Sequence, residues 1–254
     1  MGFTSDESTH QFFGSLFGVL NSKEAVGSLL SSYFARVFEA VCRGQLYGHI
    51  IKYLRTYPSI VDVLIRCGEN PSLLRCLKWL IIVDDKDGYE VERWCEFKLE
   101  VFSKAFEGLK NSLQRDPFLV ESLLELLTEL VQRHMMMYHK HELLASLLEP
   151  SRVALLLEIA IGKEAYSIAA VRLLTELVVH SKNVEGMEAA ASLEGFFAQF
   201  QACFGELVGQ IDRPSLKSLE LMEMLAQSLR LKRRVVSPAH FPVLNSLLDL
   251  MVKH

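Results

Sequence analysis

The chain has 254 residues, half of them apolar and 23% charged, with a formal net charge of -4. That balance excludes disorder over most of the length, and it gives no electrostatic footing for nucleic acid. Glycine (14) and proline (7) are scarce and the five cysteines are scattered, which excludes collagen and a disulfide scaffold and suits buried thiols in a reducing compartment.

From the N-terminus, Asp6 and Glu7 open the chain with no basic stretch ahead of an apolar core, so no signal peptide is expected. Residues 1–7 are expected to be loose. The longest uncharged stretch, Ser8 to Ser22, falls short of the roughly 18 residues that cross a bilayer. A cytoplasmic setting, with a nuclear one beside it, is expected.

Helical periodicity then repeats to the end, and strand-like alternation is hard to find. Breaks fall at Asn21–Ser22, Arg43–Gly44, Tyr57–Pro58, Gly68–Pro71, Asp84–Gly88, Asp116–Pro117, Glu149–Pro150, Gly162, Asn183–Gly186, Asp212–Pro214 and Ser237–Pro238. Leu73 to Val83 places leucine and isoleucine almost all round its axis, interrupted by Arg75 and Lys78, so this helix should be sandwiched between layers. Asp116-Pro117 sets a capping carboxylate before proline at the first helical position. The helix that follows, Phe118 to His134, groups Leu123, Leu126, Leu127, Leu130 and Val131 on one face and Glu121, Glu125, Glu129 and Gln132 on the other. Tyr166 to Val179 is again sandwiched, with Arg172 and Glu176 as its charged stripe.

Sandwiched helices alternating with one-sided ones are what stacked hairpins produce, because each hairpin packs against both neighbours. Units of roughly 40 to 47 residues fall in the armadillo and HEAT range. The expected fold is all-α, a right-handed α-solenoid of armadillo/HEAT-like helical repeats forming a single domain over residues 8–254. A closed all-α bundle is the alternative.

Candidate chemistry is sparse. Asp85-Lys86-Asp87-Gly88 has the look of a calcium loop, but Val83 and Trp94 stand where the first and last ligands belong, so an ordinary polar turn is expected. His134, His139 and His141 are spaced five and two apart with Met135–Met137 between them, which does not suit a fixed-face metal site. Glu121, Glu125 and Glu129 read as a solvated stripe rather than an acid–base pair, and Cys67 and Cys76 lack zinc-knuckle spacing. No GxSxG, Walker or dinucleotide fingerprint occurs. A non-enzyme without metal or cofactor is expected.

Two groups are candidates for partner binding. Arg75, Lys78 and Trp79 form a strip of hot-spot residue types on an otherwise apolar helix, though burial of Trp79 against a neighbouring repeat competes with this reading. Lys232, Arg233 and Arg234 belong to the run Arg230–Arg234, which either caps a helix end or docks an acidic partner.

Several stretches also occur in a familiar order. Gln11-Phe12-Phe13-Gly14-Ser15-Leu16 leads to Leu29-Leu30-Ser31-Ser32-Tyr33-Phe34-Ala35-Arg36-Val37, then to Ile50-Ile51-Lys52-Tyr53-Leu54 and Pro58-Ser59-Ile60-Val61-Asp62. Leu143 to Val153 and the helix from Ile168 to Val179 follow. This succession, over residues 10 to 180, resembles the SAPS family of regulatory subunits associated with the protein phosphatase six type. That family shows an FFxFL helix, an LxSYFxKV helix, an IxFL…P.IVxxLLxHIG segment and LLxSLLxPxxVxxLL. The chain departs where Cys67-Gly68 replaces His-Ile-Gly, and the family's array is longer, so the resemblance implies a divergent or shortened member. It implies a non-catalytic subunit that binds a type 2A-like serine/threonine phosphatase catalytic chain and steers its substrates, with further scaffold proteins as other partners. The matching positions are core-forming and carry no binding residues with them. A generic armadillo/HEAT-type adaptor unrelated to phosphatases is the alternative.

Overall fold

The computed structural model describes residues 6–21, 27–44, 46–68, 70–82, 91–133, 140–181, 195–200, 202–203, 206–207 and 216–235. Among them every regular element is helical and no strand occurs. The helices are α1 (Asp6–Gly18, extended by the 3-10 turn Val19–Asn21), α2 (Ser28–Arg43), α3 (Tyr47–Thr56), α4 (Ser59–Arg66), α5 (Pro71–Ile82) and α6 (Val91–Ser112). They continue as α7 (Pro117–Arg133), α8 (Lys140–Leu147), α9 (Pro150–Ile161), α10 (Ser167–Ser181) and α11 (Leu216–Val235). The chain divides into two compact units, 1–146 and 147–254.

Sequence punctuation sets the helix starts. The Asp116 carboxylate accepts the Leu119 N–H at 3.0 Å, and Asn70 Oδ1 accepts the Ser72 N–H at 3.0 Å, so a side-chain oxygen caps the helix ahead of each proline. Pro150 likewise stands in the first turn of α9, without a side-chain cap from Glu149, and Gly162 ends the helix with its N–H on the carbonyls of Glu158 and Ile159.

In the first unit, α5 is buried by α2 on one side and α7 on the other, with Leu73, Cys76, Leu77, Leu80 and Ile81 essentially inaccessible. The three helices run in the same direction. Ser32 and Arg43 of α2 meet Ser72 and Trp79 of α5, in that order. Gly68, just ahead of α5, abuts Leu119 at the start of α7, and Lys78 pairs with Glu129 nearly three turns further on. A second parallel pair lies beneath: Asp62 and Ile65 of α4 meet Lys104 and Gly108 of α6. The three upper helices start at Ser28, Pro71 and Pro117.

An aromatic cluster closes the N-terminal end. Phe17 of α1 stacks on Tyr53 of α3 with ring centroids 5.7 Å apart, and sits edge-on to Phe34 and Phe38 of α2. In the second unit, α10 packs between α9 and α11. Arg172 of α10 binds Glu220 of α11 at 2.8 Å, and the Lys217 ammonium donates to the Gly162 carbonyl at 2.6 Å. A cation at the C-terminal end of α9 suits that helix's dipole, although burial lowers the Lys217 pKa.

Candidate functional site

The layered order α2–α5–α7 leaves a cleft of about 580 Å³, and α5 forms its floor. Pro71, Leu74, Arg75, Lys78 and Trp79 come from α5, Glu39 and Arg43 from α2, and Ser122, Glu125, Leu126 and Glu129 from α7. The helical spacing of Arg75, Lys78 and Trp79 puts all three on one face of α5, and that face is the one left between the two flanking helices.

The three residues have different surroundings. Trp79 is half-buried, and the Arg43 guanidinium lies over its ring, 4.5 Å from the centroid. Arg43 in turn binds Glu39 at 2.7 Å on its own helix. The Trp79 Nε1 is buried without an acceptor among the described residues. Lys78 is engaged with Glu129 of α7 in a close ion pair. Arg75 is exposed and makes no ion pair among the described residues, and Glu125 across the cleft is likewise exposed and without one. The cleft thus presents paired charges on both walls, one uncompensated guanidinium and one uncompensated carboxylate.

This arrangement departs from the even, solvated stripe expected along α7. Glu121 and Glu125 are exposed, but Glu129 is partly covered and tied to Lys78 of α5. Composition along one helix could not reveal the cation that another helix supplies.

Behind the cleft, Cys42 of α2 and Cys76 of α5 are buried. Burial pushes the Cys42 thiol up to about 12, with Glu39 adding to the rise, and burial raises the Cys76 thiol as well. Thiols so strongly held in the neutral form are packing groups, not nucleophiles. A second, smaller hollow of about 130 Å³ lies between α1 and α3, floored by Phe13 and Tyr53 and rimmed by His10, His49 and Lys52.

Lys232, Arg233 and Arg234 fall on the helical backbone of α11, and their side chains lie outside the described residues. The structure therefore places α5's strip in a cleft. Asp84–Glu90, His134, Met135–Met137 and His139 also lie outside the described residues, as does the side chain of His141. Among the described residues no group of His, Cys, Asp and Glu could hold a metal ion, and no helix is long and apolar enough to cross a membrane.

Comparison of the chain with protein-family models, with curated proteins and with solved structures finds no match in any of the three.

Proposed function

We propose that the chain is a non-catalytic scaffold, built as a right-handed α-solenoid of armadillo/HEAT-like repeats, that binds a partner protein in the α2–α5–α7 cleft. Its partner on this reading is a type 2A-like serine/threonine phosphatase catalytic subunit, which it directs to substrates in the cytoplasm and nucleus. The observation that carries the scaffold reading is the parallel run of α2, α5 and α7, which puts Arg75, Lys78 and Trp79 along one open cleft. Stacked repeats bury their helices against neighbours and leave such a surface for recognition. Arg and Trp are the residue types that most often dominate binding there. The phosphatase rests on the ordered resemblance of residues 10 to 180 to the SAPS family, and an unrelated adaptor would use the same cleft.

Affinity purification from the native cell tests both. A phosphatase catalytic chain recovered in stoichiometric amount, and lost from Arg75→Glu, is the expected result. Arg75 is the residue to reverse because it is exposed and has no ion pair among the described residues, whereas Lys78→Glu would also break the contact with Glu129. A different stoichiometric partner lost from the same variant supports the adaptor. Recovery of the partner by Arg75→Glu and Trp79→Ala proteins alike would remove the cleft from the account.

A further inference from the structure

Helix α2 is apolar on two sides. Ser31, Phe34, Ala35, Phe38, Val41 and Cys42 face the interior. Leu29, Leu30, Tyr33 and Val37 face solvent, 70%, 49%, 58% and 43% exposed. Leu29, Tyr33 and Val37 succeed one another at four-residue spacing, so they form a continuous stripe with Leu30 beside it. A surface helix needs one apolar face, and a second one of this length marks a surface that gains by being covered.

Charge defines what covers it. The margin of the stripe that borders α5 carries Ser32 and Arg36. Ser32 touches Ser72, and Arg43 lies over Trp79, so Arg36 and Arg75 fall between these two contacts on parallel helices. Both are exposed and neither has an ion pair among the described residues. Their cationic neighbours are compensated, Arg43 by Glu39 and Lys78 by Glu129. Two like charges are therefore left together along the edge of an apolar stripe, where an incoming carboxylate gains from both.

We infer that this face of α2 docks an amphipathic helix of a partner protein. The partner helix lays its apolar stripe on Leu29, Tyr33 and Val37 and turns an acidic flank to Arg36 and Arg75. This mode recognises an i, i+3/i+4, i+7 pattern of apolar residues with glutamate or aspartate along one side. The inference goes beyond the cleft reading and does not depend on the partner being a phosphatase.

Two fluorescein-labelled helical peptides of about five turns, identical in their leucine stripe and carrying Glu or Lys along the flank, test it by anisotropy against the full chain. The Glu peptide is expected to bind at least about tenfold more tightly than the Lys peptide, with the difference shrinking at high salt. Arg36→Glu should abolish that preference, and the double variant Leu29→Ser, Tyr33→Ser should weaken both peptides about tenfold or more, while circular dichroism melting stays unchanged. Equal binding of the two peptides, or no saturable binding of the Glu peptide, overturns the inference. So does sedimentation showing a dimer that the Leu29→Ser, Tyr33→Ser variant dissolves, because a second copy then covers the stripe. Retention on phosphatidylserine vesicles with no preference between peptides overturns it in favour of a lipid surface. Loss of phosphatase co-purification leaves all these readouts standing.

Discussion

The guanidinium of Arg43, at the last residue of α2, lies 4.5 Å from the centroid of the Trp79 ring on α5. It joins two helices that meet nowhere near each other in the sequence, and it fixes the wall of the cleft against its floor. A cation over a half-buried indole contributes about 0.5–1 kcal/mol at an exposed site and more when desolvated. A double-mutant cycle of Arg43→Ala and Trp79→Ala, read by urea unfolding, should return a coupling of about that size. Trp79→Ala alone should also cost packing, because the ring is partly buried. Trp79→Phe should cost less than the loss of ring area suggests, since it removes the Nε1 donor that has no acceptor among the described residues. A coupling of zero would mean that the two side chains are neighbours without an energetic link.

The Lys78–Glu129 pair ties the opposite wall to the same floor. Its side chains are 17% and 37% exposed, so solvent screens the pair only in part. Lys78→Glu should destabilise the protein by about 1–2 kcal/mol through two carboxylates facing each other. The charge swap Lys78→Glu with Glu129→Lys should recover at least half of that in thermal denaturation. If the swap is no better than the single change, the packing of the lysine stem against α7 matters and the charge does not.

How far the sequence reveals these features depends on how local they are. The boundaries of α5 and α7 follow from Asn70-Pro71 and Asp116-Pro117, because capping and proline geometry involve only adjacent residues. Sandwiching of α5 follows from apolar residues spaced all round one helix. The strip Arg75, Lys78 and Trp79 is equally legible, since helical spacing alone puts the three together. What surrounds the strip is not legible. Arg43 over Trp79 and Glu129 on Lys78 come from helices about 40 to 50 residues away, and no pattern within one helix specifies which turn of another faces it. The outward stripe of α2 was hidden for a related reason: a helix with apolar residues on two sides reads the same whether both are covered or one is not.

The buried thiols predict a dependence on alkaline pH. The ordinary thiol value is 9.0, and in the folded chain burial holds Cys42 at about 12 and raises Cys76 as well. Above pH 9 the unfolded chain loses these protons while the folded chain keeps them, so the folded state binds more protons. The stability they contribute is complete below pH 9 and is lost as pH rises towards the folded values, by up to about 1.4 kcal/mol per pH unit for each thiol. Urea midpoints measured at pH 8, 9 and 10 should fall along this course, and Cys76→Ala should flatten the fall while lowering stability at all three. Peptide mapping after brief treatment with a thiol reagent at pH 8 should find Cys67 and Cys203, which are half-buried, modified before Cys42 or Cys76. Early modification of Cys42 would mean that α2 separates from α5 readily.

Two helix-interior glycines should respond to alanine in opposite ways. A Cβ at Gly14, in the middle of α1, would meet only the Tyr53 hydroxyl at 3.6 Å, an ordinary contact. Gly14→Ala should therefore stabilise by about 0.4–1 kcal/mol through helix propensity and the smaller entropy of the unfolded chain. Gly108 lies in α6 where it crosses α4, and a Cβ there would collide with Cγ2 of Ile65, with Leu123 Cδ1 at 3.7 Å closing the other side. The propensity gain is the same, but the clash forces two packed helices apart, and overpacking of this kind costs about 1–3 kcal/mol. Gly108→Ala should thus be net destabilising in thermal or urea unfolding. Ile65→Leu deletes the Cγ2 branch, so adding it to Gly108→Ala should recover part of the loss, although the same change in the parent chain removes a well-fitted side chain and lowers stability. If Gly108→Ala stabilises the protein as Gly14→Ala does, α4 and α6 are not packed as closely as these contacts require.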